Sequence, residues 1–178
     1  IESINVGVQM TRKLSELMEI INIKADELTD SIIKDGNDSY DINYNFDKRL
    51  RLQKMVYLIQ HETKEFNYNF SLYLRGPYSR ELAKEYYNPT NEYTESEEAL
   101  GSRSRELAAK LSEKDNLWLE IASTIVMFSD SYDIRKAVER TKEFKEKILN
   151  SEKKHPSYVD SVFEDIRSMG LLETARHL

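Results

Sequence analysis

The chain has no cysteine, which excludes disulfide cross-links, thiolate metal sites and a cysteine nucleophile together. Its five glycines are scattered, so there is no glycine-rich loop to cradle a phosphate. Three histidines, His61, His155 and His177, lack a His or Glu partner at metal-ligand spacing on one helix face. Ser79 and Ser131 have no base beside them in the sequence, and an N-cap role accounts for Ser79. No apolar run approaches the roughly 18 residues of a membrane-spanning helix, and no signal-peptide pattern is visible. A cytoplasmic protein with no catalytic set, no metal and no cofactor is therefore expected. Positive charge is also in deficit. Lys+Arg 26 stand against Asp+Glu 32, a net charge of −6, which disfavours a broad electrostatic grip on nucleic acid.

What is present is a helical pattern. With 39% hydrophobic and 33% charged residues in 178 positions, the chain suits one domain built of helices with charged outer faces. Met10, Leu14, Leu17, Ile21, Lys24 and Leu28 recur at alternating steps of four and three, which predicts an amphipathic helix from Met10 to about Asp35. It either packs on its own domain or pairs with a second copy through Met10, Leu14, Leu17, Ile21 and Leu28. The oxygen-rich run 35–41 lacks the glycine and glutamate positions of a calcium loop and predicts a turn. Alternation of Tyr40, Ile42, Tyr44 and Phe46 with polar residues predicts a short strand over 40–46, after which Asp47 would cap the next helix. Phe66, Tyr68, Phe70, Leu72 and Leu74 alternate without a miss. They predict a second strand, 66–75, paired with the first and ended at Gly76-Pro77. Ser79 then caps a helix running through Tyr87.

An acidic connection over 89–98 precedes helices at Glu98–Leu111, Leu117–Phe128, Asp133–Leu149 and Tyr158–Met169. Leu117–Phe128 is apolar nearly all round, so it should be the buried central helix, with Trp118, Ile121, Ile125 and Phe128 touching helices from both ends of the chain. The fold class expected is mainly α, an α+β variant with a small two-stranded element. Its organisation would be an N-terminal helix and first strand over 1–46 and a helical core over 47–178. A winged-helix variant has the same element order but needs a further strand near Leu171–Leu178.

Leu52-Gln53-Lys54-Met55-Val56-Tyr57-Leu58-Ile59, the corner Leu74-Arg75-Gly76-Pro77-Tyr78-Ser79 and the step Met169-Gly170-Leu171-Leu172 carry a family likeness. Over about residues 48–172 the chain resembles the YwgA-like group of uncharacterised prokaryotic proteins, and more distantly the Panacea antitoxin-like domain. The first resemblance implies a fold without an activity. The second implies a neutralising partner for a toxin.

The corner is the best site candidate. A helix starting near Ser79 presents unpaired amides and the positive end of its dipole, flanked by Arg75 and Arg80. Arg51 and Lys54 add charge where the first core helix packs alongside, and Tyr78 adds an aromatic surface of the kind interfaces favour. Surface pairing of Arg75 and Arg80 with Glu81, Glu85 or other carboxylates explains the same residues without a function. The expected role is a non-catalytic interaction or regulatory domain that binds a protein partner, with antitoxin-like behaviour as one form. The alternative is a nucleic-acid-binding regulator that uses Arg75 and Arg80 on phosphates.

Overall fold

The structure is a computed structural model that describes residues 10–28, 42–87 and 97–172. Eight α-helices and one two-stranded antiparallel sheet are seen among them, so the chain is mainly α with a small β element. In order they are α1 Arg12–Ile20, a single 3-10 turn Ala25–Glu27, α2 Ile42–Thr63, β1 Ser71–Tyr73, β2 Gly76–Tyr78, α3 Arg80–Tyr87, α4 Ser102–Ser112, α5 Asn116–Ser129, α6 Ile134–Phe144, α7 Glu146–Ser151 and α8 Ser157–Ser168.

Helix α5 is the axis of the molecule. Asp115 caps it by accepting from the Trp118 amide at 2.8 Å, and every residue from Trp118 to Val126 is buried. It packs on α2, α6, α8 and β2. Trp118, Ile121 and Ile125 lie in the core as expected. Phe128 is only half-buried, its ring set edge-on against Phe144 at 5.8 Å. The last helix, α8, stops where expected. Gly170 takes φ +74°, the left-handed conformation that ends helices, and this turns Leu171 and Leu172 inward to burial. No strand has begun by Leu172.

The N-terminal helix is shorter than its periodicity predicts. α1 ends at Ile20 because Asn22 adopts φ +55° and the Ile23 amide bonds back to the Met18 carbonyl at 2.9 Å. This is a left-handed C-terminal cap in which asparagine replaces glycine. The 3-10 turn returns Leu28 to the core, so the apolar spacing persists although the helix does not. Residues 29–35 lie outside the described residues. Met10, Leu14, Leu17, Ile21 and Leu28 are all buried in the same core as α2 and α5. They face this chain's own interior.

Two strand expectations need correction. Residues 42–46 are the first turns of α2, not a strand, so Asp47 lies inside a 22-residue helix and caps nothing; residues 40–41 lie outside the described residues. Phe46, Leu50 and Gln53 stand at i, i+4 and i+7, and that longer period prevails over a brief alternation. Of the strand expected over 66–75, only Ser71–Tyr73 is in a ladder, and its partner is Gly76–Tyr78. Gly76-Pro77 therefore opens the return strand and does not end the first. Alternate residues of an antiparallel pair exchange no bonds, so a proline can be accommodated there.

Helix α2 itself holds the remaining extended backbone. The Gln60 side-chain amide donates to the Tyr68 carbonyl at 2.8 Å and its oxygen accepts from the Tyr68 amide at 2.9 Å. Gln53, seven residues earlier, does the same for Ser79, at 2.9 Å to the carbonyl and 2.8 Å from the amide. Two glutamines thus replace a neighbouring strand, satisfying backbone groups that would otherwise be orphaned. Gly76 completes the fit. It has φ +92°, and a Cβ there would meet Thr124 Oγ1 at 2.7 Å, so only glycine lets the hairpin lie this close to α5.

Candidate functional site: an aromatic groove over a buried cation cluster

The apolar run of α5 contains one charged residue, Glu120. A carboxylate cannot be buried at 1% side-chain exposure without cationic partners. Two supply salt bridges. Lys145, equally buried, donates to Glu120 Oε1 at 2.7 Å, and it sits at a one-residue break between α6 and α7. Arg75, in the hairpin turn, places Nε 3.0 Å from both carboxylate oxygens, and its guanidinium lies 5.5 Å from the centre of the Phe46 ring. A third cation completes the cluster. Lys54 of α2 is 1% exposed and donates to the Pro77 carbonyl at 2.6 Å. Burial pulls its ammonium down to about 7, with Lys145 and Arg75 pushing the same way against Glu120. Burial lowers Lys145 as well, opposed by Glu120. Three cations thus gather around a single carboxylate.

Above them lies a groove of about 340 Å³ whose lining includes Phe46, Tyr73, Tyr78, Tyr86 and Tyr87, with Lys54 and Arg75 in its wall. Gln53 donates to the Tyr86 hydroxyl at 3.2 Å, and burial pushes that phenol above its ordinary range. Four exposed apolar residues are among those lining it: Phe46, Tyr73, Tyr87 and Leu74, the last 84% exposed. Arg49 crosses the Tyr87 ring at 5.8 Å.

The six residues singled out in the sequence separate into four groups. Lys54, Arg75 and Tyr78 line this groove together. Ser79 is buried and structural, its hydroxyl accepting from the Leu82 amide at 3.2 Å and its own backbone held by Gln53. The helix start is therefore closed by protein groups and does not offer an open anion cradle. Arg80 is exposed. Arg51 points elsewhere, donating to the Ser112 and Lys114 carbonyls at 2.6 and 2.7 Å and so closing the turn between α4 and α5. Arg75 does pair with a carboxylate, but with buried Glu120 and not with Glu81 or Glu85. The residues that reasoning from sequence missed are Gln53, Glu120 and Lys145. Glu120 carried a signal, as a lone acid inside an apolar helix demands a cation from somewhere in the fold.

A second cavity, of about 490 Å³, lies on the other side of α3 and includes Thr11, Glu65, Tyr68, Glu81 and Glu85. Burial raises the Glu85 carboxyl, against hydrogen bonds from Tyr68 and the Thr11 amide. Glu65 accepts from the Gly101 amide at 2.7 Å and from the Ser104 hydroxyl, which ties down the start of α4. Elsewhere His61 Nε2 lies 2.9 Å from Asp130 Oδ1, a pairing across 69 positions that no local pattern shows, and His155 pairs with Ser157. His177 lies outside the described residues. Among the described residues no group of three or more His, Asp or Glu side chains is placed to hold a metal ion, and no helix is long and apolar enough to cross a membrane. Comparison of the chain with protein families, curated proteins and solved structures finds no match.

Proposed function

We propose that this chain is a non-catalytic binding module that docks an acidic protein partner on the face formed by the hairpin tip and the groove beside α2. The observation that carries the reading is the set of exposed residues Phe46, Tyr73, Leu74 and Tyr87 lining one groove with Arg49, Lys54 and Arg75. Aromatic residues and arginines around a desolvated centre are the composition of interface hot spots. A contiguous apolar patch on a small protein marks an interaction surface more often than a random one. Charge complementarity selects the partner: the protein is acidic as a whole, at −6, yet the groove on this face is lined by Arg49, Lys54 and Arg75 and by no acidic residue. A neutralising role of the kind implied by the Panacea resemblance is one form of such docking. Nucleic-acid binding has less support, because Arg51 is turned inward to the Ser112 and Lys114 carbonyls and Lys54 and Arg75 lie within one groove, which leaves no extended outer track for successive phosphates.

The test is photocrosslinking from a probe on the hairpin in lysate of the native host, with the wild-type chain and a Leu74→Asp variant compared. Leu74 is exposed, so the variant should unfold at the wild-type temperature. A crosslinked protein of low isoelectric point that disappears with Leu74→Asp supports the reading. Absence of any protein adduct, or an adduct indifferent to Leu74→Asp, sinks it.

A further inference from the structure

We infer that the groove over Lys54 and Arg75 is a carboxylate pocket, which receives an acidic side chain of the docked partner while the neighbouring apolar residues of that partner lie on the tyrosines. The inference rests on the docking reading and names its chemistry. Three observations lead to it. First, the buried charges do not balance: Lys54, Lys145 and Arg75 surround Glu120 alone. One additional anion would halve the excess of positive charge when all three cations are protonated.

Second, the donors needed to hold that anion are present. An ammonium has three hydrogens, and the Lys54 ammonium donates to the Pro77 carbonyl. Arg75 approaches Glu120 through Nε, with its side chain 41% exposed. The outer edge of its guanidinium therefore presents the planar fork that matches a carboxylate. Third, the surroundings are apolar. Phe46, Tyr73, Tyr78 and Tyr86 wall the groove, so a charge-assisted bond inside it is exchanged for little water and is stronger than at an open surface. A buried lysine at about 7 is a standing cost to the fold, and perturbed groups of this kind concentrate where proteins bind or react. A carboxylate 3 Å or so from Lys54 would hold the ammonium charged, so binding should take up a proton near neutral pH. The charged groups facing Lys54 are Glu120 from α5, Lys145 from the α6–α7 break and Arg75 from the hairpin, with the Tyr78 and Tyr86 hydroxyls on the groove wall.

The experiment follows the Lys54 side-chain NMR signals of the whole chain during titration with three probes: N-acetyl-Leu-Glu-Leu-amide, the same peptide with Gln in place of Glu, and sodium acetate. The glutamate peptide should shift the Lys54 resonance and raise its pKa, and should bind about tenfold more weakly at pH 8.5 than at pH 6.5, because the ammonium is then mostly neutral. The glutamine peptide should leave Lys54 unmoved, and acetate should need at least about tenfold higher concentration, lacking the apolar contacts. In Lys54→Met, glutamate-peptide binding should lose its pH dependence and fall to the glutamine level. No movement of Lys54 with the glutamate peptide, or equal binding of both peptides, overturns the carboxylate pocket. Acetate as effective as the peptide overturns the protein source of the carboxylate. If Leu74→Asp abolishes the crosslinked partner while Lys54→Met leaves it intact, docking stands and the carboxylate inference falls.

Discussion

Two cavities flank α3, and they treat buried charge in opposite ways. On one side Glu85 is pushed toward its neutral form by burial and is met by Tyr68 and the Thr11 amide. Neighbouring Glu65 is matched to the Gly101 amide and the Ser104 hydroxyl. Every one of these contacts joins an element to the core, so they read as fasteners. On the other side Lys54, Lys145 and Arg75 crowd one carboxylate under an aromatic wall. Matched polar groups account for a fold, whereas an excess of one charge sign costs stability and points outward to a ligand.

The comparison breaks most readily at Glu120. Glu120→Gln leaves Lys145 buried beside two other cations with no counter-charge, and loss of one partner of a buried pair typically costs about 3–5 kcal/mol. Urea unfolding at pH 7 should show that loss, and a change near zero would mean that water reaches the cluster. Next in size is Gln53→Leu. It strips both backbone groups of Ser79 of their partner inside the core, at a cost of roughly 2–4 kcal/mol. Gln60→Leu does the same to Tyr68 at a less buried position and should cost about half as much.

Lys54→Met should act in the opposite direction and stabilise the chain. With its ammonium at about 7 in the fold against an ordinary 10.5, the unfolded chain holds more protons between those values. Stability contributed by this site therefore rises as pH increases through that window, and the penalty is complete below it. Removing the charge should gain roughly 2 kcal/mol at pH 6, because the newly unpaired Pro77 carbonyl offsets part of the desolvation relieved. The gain should shrink toward pH 10. A melting temperature lowered at pH 6 would contradict the charge excess. The smallest effect belongs to the matched cavity: Glu85→Gln should change stability by under about 1 kcal/mol. Its sign is set by a carboxyl whose pKa is raised in the fold, so the wild-type contribution declines as pH rises past the ordinary carboxylate range.

The helical layout was legible because it depends on long periods and caps. The apolar run of α5, the Ser79 cap of α3 and the Gly170 stop each act within a few residues of their signal. The β element was misread because alternation over 40–46 and 66–74 is local, while the outcome was decided by two glutamines on α2 and by Gly76 against Thr124. Nothing within 40–46 distinguishes a half-buried strand from the opening of a long helix except what lies after it. Lys54 and Arg75 were visible as cations near a corner. Their meaning was not, because it comes from Glu120 and Lys145, 66 and 91 residues beyond Lys54 in the chain.

The most direct measurement of the central claim is the titration of Lys54 itself, read from its side-chain carbon and proton shifts in the unliganded protein. A midpoint near 7, moving further down in Glu120→Gln as its one favourable neighbour is lost, is the predicted result. A midpoint near the ordinary 10.5, unmoved by Glu120→Gln, would show Lys54 to be a solvated surface lysine and would remove the cation cluster from beneath the groove.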